Sequence, residues 1–195
     1  WAKPGFRLGL GFAAGYTFGI GGAPGGRLLG AEIHAGLRLD ADWSLLTSFQ
    51  YAQAKGRGDG LSGLRFAGTI DPTWHVTRDF ALAIGIGFGG IVEGRTGRAD
   101  VNPTEASLDY SQTLTNSRTP VPSCSGVGVV GLARATYTYV IGPRAATAVE
   151  LEVSGQDTEC VDRTGRVEPD SATPIERKQL WEHAAATLAW SITWR

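Results

Sequence analysis

Nine residues spread along the chain carry side chains able to act as acids, bases or ion-pair partners: Glu32, His34, Arg38, Arg65, Asp71, Arg134, Glu150, Glu152 and His183. Their signs nearly balance, which points to paired charges rather than to a site for a strongly charged ligand. Catalysis of the Ser–His–acid kind needs a histidine beside a serine. His34 and His183 fall at positions that share a face with the other charges, and His75 falls in the short segment "HVTRD" (75–79), so no triad is expected. Cys124 and Cys160 lie in polar stretches without a CxxC motif or a nearby histidine, which argues against zinc and for a single disulfide in an oxidising compartment. "GLGFAAG" (9–15) and "GIGFGG" (85–90) resemble phosphate-binding glycine loops only superficially, because neither opens a helix after a strand. "RGD" (57–59) reads as a loop tip, and "NPT" (102–104) is no glycosylation acceptor because proline holds its middle position. No cofactor or metal is expected.

The elements that must position these residues are strands. The chain of 195 residues has a formal net charge of -1, which argues against a nucleic-acid partner and fits a single domain spanning 1–195. It begins at Trp1 with no positive n-region or apolar h-region following, so any export signal is expected to have been removed from this numbering. The longest apolar run, "FALAIGIGFGGIV" (80–92), is interrupted by glycines and falls short of the roughly 18–20 residues of a membrane helix. Period-2 alternation recurs throughout, and no 3.6-residue pattern competes with it.

Eight alternating runs are expected. The first, "FRLGLGFAAGYTFG", sets Phe6, Leu8, Leu10, Phe12, Ala14, Tyr16 and Phe18 against Arg7 and small residues. Leu28–Asp40 sets Leu29, Ile33 and Leu37 against Glu32, His34 and Arg38. Trp43–Ala54 and Leu61–Trp74 follow, with Ser48, Gln50, Arg65 and Asp71 on their polar faces. Phe80–Glu93 opposes Phe80, Leu82, Ile84, Ile86 and Phe88 to alanine and glycine. Val127–Ile141 is phased with Tyr137 and Tyr139 on the apolar side, because the other phase would put Arg134 there. Ala145–Gln156 and Gln179–Trp194 complete the set. The glycines opposite the large residues leave room in a narrow interior, so Gly85→Ser should be milder than Ile84→Arg beside it.

The connections alternate in length. Those at 40–42, 75–79 and 141–144 are tight, whereas 19–27, 55–62, 94–125 and 156–178 are longer and rich in Gly, Pro, Ser, Thr and Asp. A soluble lipocalin-like barrel would share the alternation, with the greasy face inward. Here the other face is mostly Gly, Ala, Ser and Thr, whereas a solvated exterior would be rich in Lys and Glu. Aromatics also gather at both strand ends: Phe6, Trp43, Trp74, Phe80, Tyr137, Tyr139 and Trp194 near the tight turns, and Tyr16, Phe18, Tyr51, Phe66, Phe88 and Trp181 near the longer connections, with Trp190 on the apolar face of the last strand. Such girdles suit the two interfaces of a bilayer, where amphipathic rings settle at headgroup level. The expected fold is therefore an all-β, eight-stranded antiparallel up-and-down transmembrane barrel with lipid outside.

The final run "TLAWSITWR" (187–195) alternates toward a terminal aromatic, Trp194, with Arg195 after it. In this ending, and in strand count and loop asymmetry, the chain resembles the small eight-stranded outer-membrane barrels of the OmpA and OmpX type. The resemblance is architectural. It implies residence in the bacterial outer membrane, a monomeric barrel, and tight turns facing the periplasm. Such a barrel is just wide enough to be filled by side chains, so the lumen charges are expected to form an ion-pair plug, or alternatively a narrow gated ion path. Some barrels of this kind modify lipid A with His, Ser and acidic residues near the outer rim, but no histidine here is expected to face the outer leaflet beside a serine. The expected function is a non-enzymatic membrane scaffold, single or within a larger envelope assembly, whose loops 94–125 and 156–178 contact a protein partner or surface. Low-conductance pore and, third, lipid A-modifying enzyme are the alternatives.

Overall fold

The computed structural model describes residues 4–20, 25–56, 61–95, 121–167 and 174–195. They form β1 (Gly5–Ile20), β2 (Gly26–Arg38), β3 (Trp43–Gly56), β4 (Leu61–His75), β5 (Phe80–Arg95), β6 (Val121–Val140), β7 (Ala145–Val167) and β8 (Pro174–Trp194). Each strand pairs with its sequence neighbours, antiparallel throughout, and β8 returns to β1 to close the barrel. Closure leaves no open edge along the paired length, so the backbone polar groups are satisfied within the wall.

The phase of every strand follows the sequence alternation. Phe12, Ile84 and Phe88 stand outward at 70–75% exposure. Their intervening neighbours turn inward, and the lumen buries Arg7, Glu32, His34, Arg38, Arg65, Asp71, Arg134, Glu150, Glu152 and His183. An apolar exterior over a charged interior inverts a soluble protein, and it is stable only with hydrocarbon outside. The interior is not wholly polar: Leu28, Ile91, Val130 and Leu132 are also buried. On the outside, Phe66 lies opposite Gly90, and its ring occupies the space that a Cβ at Gly90 would take. A ring laid over a bare glycine shields the backbone there from its surroundings.

The tight turns are closed locally. Asp40 Oδ1 accepts from the backbone N–H groups of Asp42 and Trp43 at 2.8 and 2.7 Å, an Asx-type turn. Thr77 Oγ1 accepts likewise from Asp79 and Phe80 at 3.3 and 3.0 Å. Trp43 and Trp74 are directly paired across β3 and β4 beside the first of these turns.

The longer connections depart from the sequence reading. The expected loop 156–178 is mostly a two-stranded ribbon, because β7 and β8 stay paired beyond Gln156–His183 through Val161–Lys178 to Val167–Pro174. The expected loop 94–125 is shorter too, since β5 runs to Arg95 and β6 begins at Val121, with a register shift between Glu93 and Gly94. Hydrogen-bonded ladders continue past the membrane without apolar alternation, so the sequence pattern ends before the strands do.

Cys124 and Cys160 consequently lie in β6 and β7 rather than in loops. Ser125 pairs with Val161, which sets the two cysteines on a diagonal across that pair. Diagonal neighbours on a sheet are about 7–8 Å apart, at or past the Cα separation of about 7 Å that a disulfide spans. This register does not support the expected disulfide. The two side chains, and the "RGD" and "NPT" segments, fall outside the described residues.

Candidate functional site

All nine charged residues singled out from the sequence point into the lumen, and the structure gathers five of them around the guanidinium of Arg134 or its partners. Arg134 projects inward from β6. Its Nη2 lies 2.8 Å from Glu32 Oε1 on β2 and 2.8 Å from Glu152 Oε2 on β7. Its Nε stands 3.6 Å from Glu150 Oε2 and its Nη1 3.7 Å from Asp71 Oδ2. Glu152 is the direct cross-strand partner of Arg134, whereas Glu32 reaches it from the far side of the barrel. His34 Nδ1 sits 4.0 Å from Glu32 Oε1.

Neutral side chains complete the hub. Ser48 Oγ donates to Asp71 Oδ2 at 2.5 Å and accepts from Arg134 Nη1 at 3.3 Å. Gln50 Nε2 donates to Glu152 Oε2 at 2.7 Å, and Ser191 Oγ donates to Glu150 Oε1 at 2.5 Å. Ser48 and Gln50 share the inward face that the alternation assigned to them, but nothing in their types marked them as members of a charge cluster. Four carboxylates surround a single guanidinium, so the expected near-balance of signs does not hold locally. The serine and glutamine donors stabilise the excess negative charge through hydrogen bonds to Asp71, Glu152 and Glu150.

The remaining residues lie elsewhere along the lumen. Arg38 is at the tight-turn end, donating through Nε to the Asp40 carbonyl at 2.8 Å and through Nη2 to that of Ala41. Arg65 and His183 line a cavity of about 60 Å³ on the long-loop side of the hub, together with Glu32, Gln50, Glu152 and Gln156. A second cavity of about 70 Å³ lies on the tight-turn side, lined by Arg7, His34, Ser44, His75, Glu150 and Thr193. Arg134 touches the second, and its partners Glu32 and Glu152 touch the first. The hub is thus a septum between two small chambers.

His75 corrects the sequence reading. It is the last residue of β4 rather than part of a turn, and its Nε2 lies 2.7 Å from Ser44 Oγ. A serine beside a histidine is half of a triad. The position beyond the ring is held by Arg38, whose Nη1 is 3.3 Å from His75 Nδ1. Triad chemistry needs an acid there to steady the imidazolium, and a guanidinium has the wrong sign. Among the described residues, no group of three His, Cys, Asp or Glu is arranged to hold a metal ion.

The exterior aromatics lie on the outer face of the barrel. Trp43, Trp74, Tyr137, Tyr139, Trp190 and Trp194 are exposed and Phe80 is half-buried. Trp190 lies between Phe12 and Val149, four residues along β8 from Trp194 and so further from the tight-turn end of that strand.

No protein-family model matches the chain, and no curated protein matches it in sequence. Solved structures share its fold. Ail, the attachment invasion locus protein of Yersinia pestis, superposes with a TM-score of 0.57 at 10% identity, over 97% of each chain. Neisserial surface protein A gives 0.54 at 9% identity over 98% of each. A major outer membrane protein from Thermus thermophilus gives 0.58 at 11% identity, over 97% of this chain and 98% of that one. The architecture is that of the small eight-stranded outer-membrane barrels.

Proposed function

We propose that the chain is a non-enzymatic bacterial outer-membrane protein, a lipid-anchored barrel that presents its long-loop end to a partner or surface. One observation carries the reading: large apolar residues cover the outside from Phe6 to Trp194 while the lumen is closed by the Arg134 hub. A closed lumen suits display better than bulk transport. Segments 94–125 and 156–178 are the contact regions, the exterior aromatics mark the membrane interfaces, and the barrel is monomeric, free or within an envelope assembly. The names of two proteins with this fold, an attachment locus protein and a surface protein, are in keeping with display.

The test compares chains co-purified from outer membranes containing the intact barrel with those from a variant in which residues 97–119 are replaced by a short Gly-Ser turn. A partner lost with the segment supports display, and an identical set of associated chains speaks against that segment as the contact region. The second reading, a low-conductance pore, rests on the chambers either side of the hub. Planar-bilayer recordings decide it: steady channels from the unmodified barrel favour the pore, and silence favours the plug.

A further inference from the structure

We propose that the barrel passes protons, but not hydrated ions, through a relay in which His34 links the two lumen chambers across the Arg134 septum. The proposal rests on the reading that the barrel spans a bilayer. It starts from the position of one imidazole. His34 is buried, its Nδ1 faces Glu32 Oε1 at 4.0 Å and has no hydrogen-bond partner among the described residues, and its Nε2 lies 3.0 Å from Thr193 Oγ1. Glu32 lines the long-loop chamber, whereas His34 and Thr193 line the tight-turn chamber. The ring therefore has one nitrogen toward each side of the septum.

The space for the ring is built into the neighbouring strand. His34 pairs with Gly9, and a Cβ at that glycine would lie 1.9 Å from His34 Nε2. Any larger residue there would push the ring off its bridging position.

Each chamber is large enough for several water molecules and is lined by groups able to order them. Ions meet a different obstacle. A hydrated cation would have to displace Arg134 from Glu32 and Glu152, and an anion would face the four carboxylates. A proton can pass while Glu152 keeps Arg134 in place. Glu32 takes a proton from water in the long-loop chamber, a small rotation brings the protonated carboxyl to His34 Nδ1, and the ring takes that proton and leaves the carboxylate ready for the next. The imidazolium then gives its Nε2 proton to Thr193 Oγ1 as that hydroxyl passes its own proton to water in the tight-turn chamber, and a ring flip restores the starting tautomer. One proton enters, one leaves, and the charge of the septum is unchanged.

The experiment uses the refolded barrel in phospholipid vesicles loaded with a pH-sensitive dye, with potassium and valinomycin holding the membrane potential at zero. Insertion is scored separately by the heat-dependent gel mobility of a folded barrel, so failure to span the bilayer is distinguished from failure to carry protons. The expected result is dissipation of a pH step several-fold faster than in protein-free vesicles, with no matching potassium or chloride conductance in planar bilayers free of valinomycin. His34→Gln, which keeps a polar side chain but cannot cycle a proton, should return the rate to that of protein-free vesicles, and Gly9→Ala should do the same by displacing the ring. Should His34→Gln fail to insert, Thr193→Val blocks the exit side and should slow the flux. Wild-type flux no faster than empty vesicles, an inserted His34→Gln or Thr193→Val barrel as fast as the parent, or proton flux matched by ion conductance would each overturn the proposal.

Discussion

Arg134 on β6 and Glu32 on β2 meet at 2.8 Å across the width of the barrel, from strands separated by three others in either direction. The contact ties opposite walls together at a point where no backbone hydrogen bond can. Truncating Arg134 leaves buried carboxylates without their cation, a cost of about 3–5 kcal/mol. We predict that Arg134→Met lowers the unfolding free energy in bilayers by that amount, and that adding Glu32→Gln and Glu152→Gln recovers part of it. Equal losses in the single and triple variants would show that charge imbalance is not the cause.

The strand phases were legible in the sequence because lipid and lumen impose opposite demands on alternate residues. Placing Tyr137 and Tyr139 outward was forced because the other phase would have put Arg134 in lipid, and Arg134 is buried in the lumen. Which carboxylates meet Arg134 was not legible. That depends on the stagger of strands around the closed wall, which brings Glu32 of β2 and Asp71 of β4 to one level. The β7–β8 ribbon was missed for another reason: above the membrane it needs only backbone pairing, which leaves no trace in residue type.

Ile84 is 74% exposed in the middle of β5, on the lipid face. Ile84→Arg should destabilise the barrel by about 2–4 kcal/mol, the range for a basic residue at the bilayer midplane. Gly85→Ser, expected from the sequence to be the milder of the two, should still carry a cost. A Cβ there falls 2.2 Å from Asp71 Oδ1 and 2.9 Å from Leu132 Cγ, and Asp71 is already held by Ser48. Overpacking of this kind costs about 1–3 kcal/mol. Urea titrations of both variants in the same lipid check the pair; a neutral Gly85→Ser would mean that Asp71 has room to move.

Ser48 and Thr47 are adjacent hydroxyls on opposite faces of β3. Ser48→Ala strips Asp71 of its donor inside the lumen and should cost about 1–3 kcal/mol. Thr47 donates to the Ala35 carbonyl on the exposed face at 3.0 Å, and Thr47→Val should be close to neutral in lipid. Reversal of that order would place the lumen outside.

Tryptophan depth gives an independent measurement. In barrels reduced to one tryptophan each, fluorescence of Trp43, Trp74 or Trp194 should be quenched most by lipids brominated near the headgroup. Trp190, deeper on β8, should respond more to bromine further down the acyl chain. A common depth for Trp190 and Trp194 would contradict the assignment of β8 as a strand that crosses the membrane.

The β1–β8 seam has a consequence for how the molecule is made. Its ladder joins residues from opposite ends of the sequence, from Leu8–Trp194 to Ile20–Glu182, and the Thr17–Ala184 bond spans 167 positions. All other strand pairs are hairpins that can zip locally, so this pairing has the highest contact order and carries the greatest loop-closure entropy. Folding therefore ends with it. Until then the ribbon has two raw edges, and β8 offers its unpaired backbone to any other chain in the same state. Refolding yield should fall with protein concentration far more steeply than it responds to changes in lumen charge, because the competitor of β1 for β8 is another copy of β1.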